Sequence, residues 1–131
     1  MDKLPNFENA VIAIEKLEKY VLNADHPDGQ HKARVFKACL GIGRDHAAAF
    51  AKIIENGLEK APAQFSETTQ YGDHWTTWHE VIGMQRQSVI VTIGWVFKKS
   101  TPSVPSMTTC YIETGEQDRL KKLVASRLVG P

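Results

Sequence analysis

The spacing of apolar residues changes about halfway along the chain. From Phe7 to Asn23, Val11, Ile14, Leu17, Val21 and Leu22 recur at helical intervals, with Pro5 and Asn6 near the start. The run Asp25-His26-Pro27-Asp28-Gly29 ends that pattern, because proline cannot continue a helix and glycine tolerates left-handed angles. A second helix is predicted from about His31 to Leu40, burying Ala33, Phe36, Cys39 and Leu40 on one face and closed by Gly41 and Gly43. Asp45 is expected to cap a third helix that runs to about Asn56, with Phe50, Ile53 and Ile54 apolar and Gly57 as its stop.

Beyond "EKAPAQFSETTQYGD" the period becomes two. "HWTTWHEVIG" alternates as a strand does, and "QSVIVTIGWVFKK" does so more clearly. Val89, Val91, Ile93, Trp95 and Phe97 then line one face, and Ile90, Thr92, Gly94, Val96 and Lys98 the other. Both faces are apolar in the middle, which predicts a central strand. "STPSVPS" reads as a loop and "MTTCYIE" as a third strand, and "EQDRLKKLVASRL" puts Leu120, Leu123, Val124 and Leu128 on one helical stripe. The expected fold is α+β: N-terminal helices packed on a small antiparallel sheet, with a short C-terminal helix. With 131 residues the chain is the size of one domain, helical over about 7–57, sheet over about 63–113 and helical again over about 116–129.

Composition excludes several classes of function. Hydrophobic content of 42% and charged content of 24% are those of a globular protein. No apolar run approaches the roughly 20 residues of a spanning helix, so no membrane partner is expected. The start, "MDKLPNFENA", carries charges and a proline where a signal peptide needs an apolar core. A cytoplasmic location follows, with delivery into another cell left open. A net charge of +1 argues against binding polyanions by bulk charge. One stretch departs from that balance: Lys32, Arg34, Lys37 and Arg44 occur with no acidic residue between Gly29 and Arg44. It reads either as a solvated helix face or as a patch that meets phosphate.

The sequence has no GxSxG elbow, phosphate loop, HExxH or CxxC pair. Its five histidines and two cysteines form no compact ligand set, so neither a metal nor a cofactor is expected. Cys39 and Cys110 read as small buried residues, not as a disulfide or a nucleophile. What remains is histidine, lysine, tyrosine, tryptophan and threonine, an inventory that suits RNA cleavage without a metal. One group must take the 2′-hydroxyl proton, another must protonate the leaving 5′-oxygen, and a fixed donor must stabilise the phosphorane. His26, His31, Lys32 and Arg34 cluster at the helix junction, where exposed backbone N–H groups favour an anion. The plainer reading is a turn histidine and exposed first-turn residues. His74 and His79 are five apart, so an unbroken strand points them to opposite faces. Trp95 reads as core or as a base-stacking ring, and one of Thr108 and Thr109 must face outward.

The order of these pieces is more specific than any one of them. "KLEKYVLNADHPDGQHKARVFKACLGI", residues 16–42, resembles a short domain of bacterial polymorphic and contact-dependent toxins. Lys16, Leu17, Tyr20, Leu22, Asn23, His26, Pro27, Gly29, Lys32, Ala33, Phe36, Leu40 and Gly41 carry the likeness. The later "YGDHWTTWHEVIG…VIVTIGW…MTTCYI" is similar to that family's second half. The resemblance implies a ribonuclease fold of the barnase, EndoU, colicin and RelE type, with RNA, often tRNA, as substrate and an immunity protein as inhibitor. By position it implies Lys32 as a phosphate-binding cation and His26 as acid or base, with Tyr71, His74, Trp95 and Thr109 lining the sheet face. Taken with the junction residues, the expected catalytic set is His26, Lys32, His74 and Thr109, with His31, Arg34, Tyr71 and Trp95 binding substrate. The other reading is a non-catalytic, partner-binding or immunity-like module. Two features depart from the pattern: the chain starts at its own methionine, and a helix follows "MTTCYIE".

Overall fold

The computed structural model describes residues 3–129, with side chains described as far as Ser126, so Leu128 of the expected C-terminal stripe lies outside the described residues. The chain forms α1 (Ile14–Lys16), α2 (Gln30–Leu40) and α3 (Ala47–Gly57), then β1 (Ala63–Thr69), β2 (Gly72–Ile82), β3 (Ser88–Lys98) and β4 (Pro105–Tyr111), and last α4 (Gln117–Val129). The strands make one antiparallel sheet in the order β1-β2-β3-β4, which is the expected α+β class.

Three local expectations are corrected. The continuous helix from Phe7 to Asn23 is broken into a 3-10 turn (Phe7–Asn9), an extended step, and α1, which runs into a π-helical turn (Leu17–Val21). The break has a cause in the sheet. Val11 donates its N–H to Pro105 O at 2.8 Å and accepts from Met107 N at 3.0 Å, which occupies backbone groups on the outer edge of β4. Val11 and Ile14 are therefore exposed, not part of an apolar stripe. Second, Asp45 does not cap the third helix. It lies exposed in a 3-10 turn (Arg44–His46), and His46 Nδ1 accepts from Gly43 N–H at 3.0 Å. Third, a fourth strand, β1, was not foreseen, because "AQFSETT" is nearly all polar and exposed on an edge.

Pairing fixes which residues share a face. β2 and β3 align without interruption from Gly72↔Lys98 to Ile82↔Ser88. Val81, Val89, Val91, Ile93, Trp95 and Phe97 enter the main core against Leu17, Phe36, Leu40, Phe50 and Ile54 of the helical layer. On the outer face Ile90 packs with Leu120 and Val124 of α4 and with Trp78. The alternation expected for the central strand is thus realised, and α4 covers only one end of the outer face. The other end stays open.

Candidate functional site

The open end of the outer face is built around the β1–β2 turn. Thr69 pairs with Gly72 across Gln70 and Tyr71. Gly72 has φ +138°, and a Cβ there would collide with the Phe97 carbonyl oxygen, so only glycine lets the turn lie this close to β3. Thr69 Oγ1 accepts from Tyr71 N–H at 3.2 Å and bonds His74 Nε2 at 2.8 Å, which fixes the imidazole on the outer face. Lys99 N–H donates to Tyr71 O at 3.3 Å and ties the end of β3 to the same turn. Gln70, Tyr71, His74, Val96, Lys98, Lys99, Ser100 and Thr108 line a cleft of about 510 Å³ here. Among the described residues no carboxylate lines it, the nearest along the strand pairing being Glu67 opposite His74, and neither ion pair involves Lys98 or Lys99. The cleft therefore offers one imidazole, a phenol, a threonine hydroxyl and two cations to an anionic ligand.

Of the residues singled out in the sequence, Tyr71 and His74 come together in this cleft. Thr109 is on the same face, paired with Gly94, but Thr108 is the one that lines the cleft. Both threonines crowd Gly94: a Cβ there would lie 2.8 Å from Thr109 Cγ2 and 3.1 Å from Thr108 Oγ1. Trp95 does not join them. It is fully buried on the helical side, donating its indole N–H to Thr77 Oγ1 at 2.8 Å. Its ring is core because position 95 keeps the parity of Val91 and Ile93.

The four residues of the helix junction lie elsewhere. His26 holds the turn that leads into α2: its Nδ1 accepts from the N–H groups of Asp28 at 3.0 Å and Gly29 at 3.1 Å, and its ring meets Tyr20 edge-on at 4.6 Å. That leaves the proton on Nε2. Gly29 is buried beneath it, where a Cβ would stand 2.5 Å from Tyr20 O. His31 is exposed, and Arg34 reaches only Gln30 Oε1 at 3.2 Å. Lys32 Nζ lies 5.2 Å from the centre of the Tyr111 ring, at the far end of β4. Burial, and then the neighbouring Glu113, push the Tyr111 hydroxyl above its ordinary range. Tyr111 pairs with Thr92 and His74 with Val96, four residues further along β3, which is about 13 Å at the rise of a strand. The two groups form separate sites.

His79, on the opposite face from His74 as its spacing required, is buried in the core and held neutral down to about 4 by that burial. Burial likewise drives the Cys110 thiol well above its ordinary range, which leaves no thiolate for nucleophilic chemistry. Among the described residues, no three His, Cys, Asp or Glu side chains converge to hold a metal ion. No described helix is long and apolar enough to cross a membrane. Sequence reasoning missed Lys98 and Lys99 as site residues. Alternation put Lys98 on the face opposite Trp95, but only the register of β2 on β3, His74 against Val96, brings that face to His74.

The fold is similar to one chain of a contact-dependent growth inhibition toxin–immunity protein complex from Klebsiella pneumoniae 342, with a TM-score of 0.60. The two are 15% identical over 82% of this chain and 97% of that one, so the likeness is one of fold. No curated protein matches this chain. Residues 3–114 match a domain of unknown function, DUF6883, and the chain belongs to that family.

Proposed function

We propose that this chain is the ribonuclease component of a bacterial toxin system and cleaves RNA without a metal, tRNA being the first substrate to test. The observation that carries the reading is the open outer-face cleft, where His74, Tyr71, Lys98, Lys99 and Thr108 meet with no carboxylate among them. His74 takes the proton of the 2′-hydroxyl, whose oxygen attacks phosphorus as the bond to the 5′-oxygen breaks. The products are a 2′,3′-cyclic phosphate and a 5′-hydroxyl, the leaving oxygen receiving its proton from Tyr71 or from water. Lys98 and Lys99 hold the phosphate and offset the charge of the phosphorane, and Thr108 donates a further hydrogen bond. Thr69 is a positioning residue, because it holds the His74 ring. Lys32, His31 and Arg34 would touch a long substrate away from the reacting phosphate.

The test is incubation of tRNA and total RNA with the protein in chelator, with end-mapping of products. His74→Ala is expected to lower cleavage by about 10² to 10⁴-fold, and the double change Lys98→Ala, Lys99→Ala by about 10² to 10³-fold. RNA left intact at high protein concentration, or cut equally by the variants, refutes the reading.

A second reading, a partner-binding module, is favoured by one observation. Ile53, Ile82 and Met84 are exposed and border an apolar cavity between α3 and the end of β2. An immunity-like module would present this surface to a toxin, and a toxin would present it to its inhibitor. A stable complex together with inert RNA supports the module; a complex that suppresses RNA cleavage supports the toxin.

A further inference from the structure

We propose that a second site, distinct from the RNA cleft, binds a small uncharged molecule with an apolar body and one hydrogen-bond acceptor. It lies where β1 stops short of the end of β2. β1 pairs with β2 only as far as Ala63↔Thr77, and α3 and α4 close over the exposed edge from either side. Ile53, Gly57, Ala61, Trp78, His79 and Val124 line a half-open cavity of about 190 Å³ there, with Lys60 and Glu80 at its rim. That is room for one ring with a short substituent.

The cavity holds one unanswered polar group. Trp95 Nε1–H can only donate, and it donates to Thr77 Oγ1. Thr77 Oγ1 lies 2.8 Å from His79 Nε2, and both side chains are buried. The Thr77 hydroxyl hydrogen finds its acceptor if it points to Nε2, which leaves the imidazole proton on Nδ1. Nδ1 has no partner among the described residues, is buried, and faces Gly57, whose added Cβ would lie 3.6 Å from it. A buried N–H without an acceptor costs free energy that a bound oxygen recovers. The charged groups near the cavity do not answer it: the Glu80 carboxylate accepts from Ser88 Oγ at 2.9 Å on the outer face, and Lys60, at the rim, carries only further donors. With a neutral imidazole and an apolar lining, the matching ligand is uncharged: a ketone, an amide or an alcohol on a small ring or aliphatic body.

The experiment uses the full chain and ¹⁵N-labelled histidine, with acetophenone and cyclohexanone as probes and ethylbenzene as the control lacking an acceptor. Both ketones are expected to shift the His79 Nδ1–H resonance saturably, and ethylbenzene to bind at least about ten-fold more weakly than acetophenone. Gly57→Ala places a methyl at ordinary contact distance from Nδ1, within the space the acceptor needs, so it should raise thermal stability and abolish the shift. Three results overturn the proposal: no shift with either ketone at millimolar concentration, equal binding of ethylbenzene, or an Nδ1–H that contacts only an ordered water. If Gly57→Ala does not fold, the ketone and hydrocarbon comparison on the unaltered chain decides alone. RNA cleavage is not a readout here, so this proposal can fail while the ribonuclease reading stands.

Discussion

Acid should destabilise the fold through His79, and the size of the effect follows from where that ring sits. His79 is buried beside Thr77 and Trp95, and desolvation lowers its pKa from 6.5 to about 4. Unfolded chains accept the proton as pH falls below 6.5, whereas the folded protein accepts it only near 4. The stabilising contribution is therefore complete above about pH 6.5, shrinks through the interval and is gone below about 4. The gap between 6.5 and about 4, at about 1.36 kcal/mol per pKa unit, is worth about 3 kcal/mol. That is a large share of the stability of a domain this size. Carboxylates titrate in the same range, so the quantity to measure is a difference. Urea unfolding of the unaltered chain and of His79→Gln at pH 7.5, 6, 5 and 4 should show the variant losing about 3 kcal/mol less over the interval. Parallel pH profiles would refute the reasoning, as would a His79 ring that titrates in NMR near 6.5.

Three further perturbations separate core from site. Gly72→Ala forces a side chain onto the Phe97 carbonyl at positive φ, and should cost about 2–4 kcal/mol by chemical unfolding; a loss under about 1 kcal/mol would show that the turn can relax. Trp95→Phe removes the donor to Thr77, and should cost about 1–3 kcal/mol while RNA affinity of the folded protein stays unchanged. A loss of RNA affinity at full stability would put Trp95 back among the substrate contacts. Lys32→Met removes a cation near the Tyr111 ring at an exposed position, a change of about 0.5–1 kcal/mol in stability, and should lower RNA cleavage less than ten-fold. A hundred-fold loss would move the reacting centre to α2.

What could be read from the sequence was what periodicity carries. The parity of β3 sorted Trp95 from Lys98, and the five-residue spacing sorted His74 from His79, because side chains alternate along an unbroken strand. The apolar face of α2 was legible for the same reason at helical period, with Ala33, Phe36 and Leu40 buried. Long-range backbone bonds were not legible. The bridge from Val11 to β4 overrides a respectable helical pattern, and nothing local in "NAVIAI" announces it. β1 was hidden because an edge strand with few buried side chains leaves no alternation to read. The setting of His26 was hidden for a different reason. A histidine after a helix stop resembles a solvated base, and only the geometry shows its Nδ1 occupied by two backbone N–H groups.

The cleft also depends on irregularities that no periodic reading supplies. β2 and β3 form the rigid centre, paired residue for residue over their full length, but each outer strand carries a bulge. In β1, Phe65 lies exposed on the helical side of the sheet, edge-on to its partner Trp75, and the extra residue Ser66 then shifts the parity, so that Glu67 pairs with His74 and Thr69 with Gly72. Without that insertion Thr69 would share the face of Phe65 and could not hold the His74 ring. In β4 the shift between Gly94 and Trp95 lets Met107 and Cys110 both point to the core, which turns Thr108 and Thr109 outward together. The small residue opposite them, Gly94, is what leaves room for two threonines side by side. A fixed central pair thus presents His74 and Lys98, and the bulged outer strands bring hydroxyls to that face. Strict alternation in both outer strands would keep the fold class and take Thr69 off the face of His74.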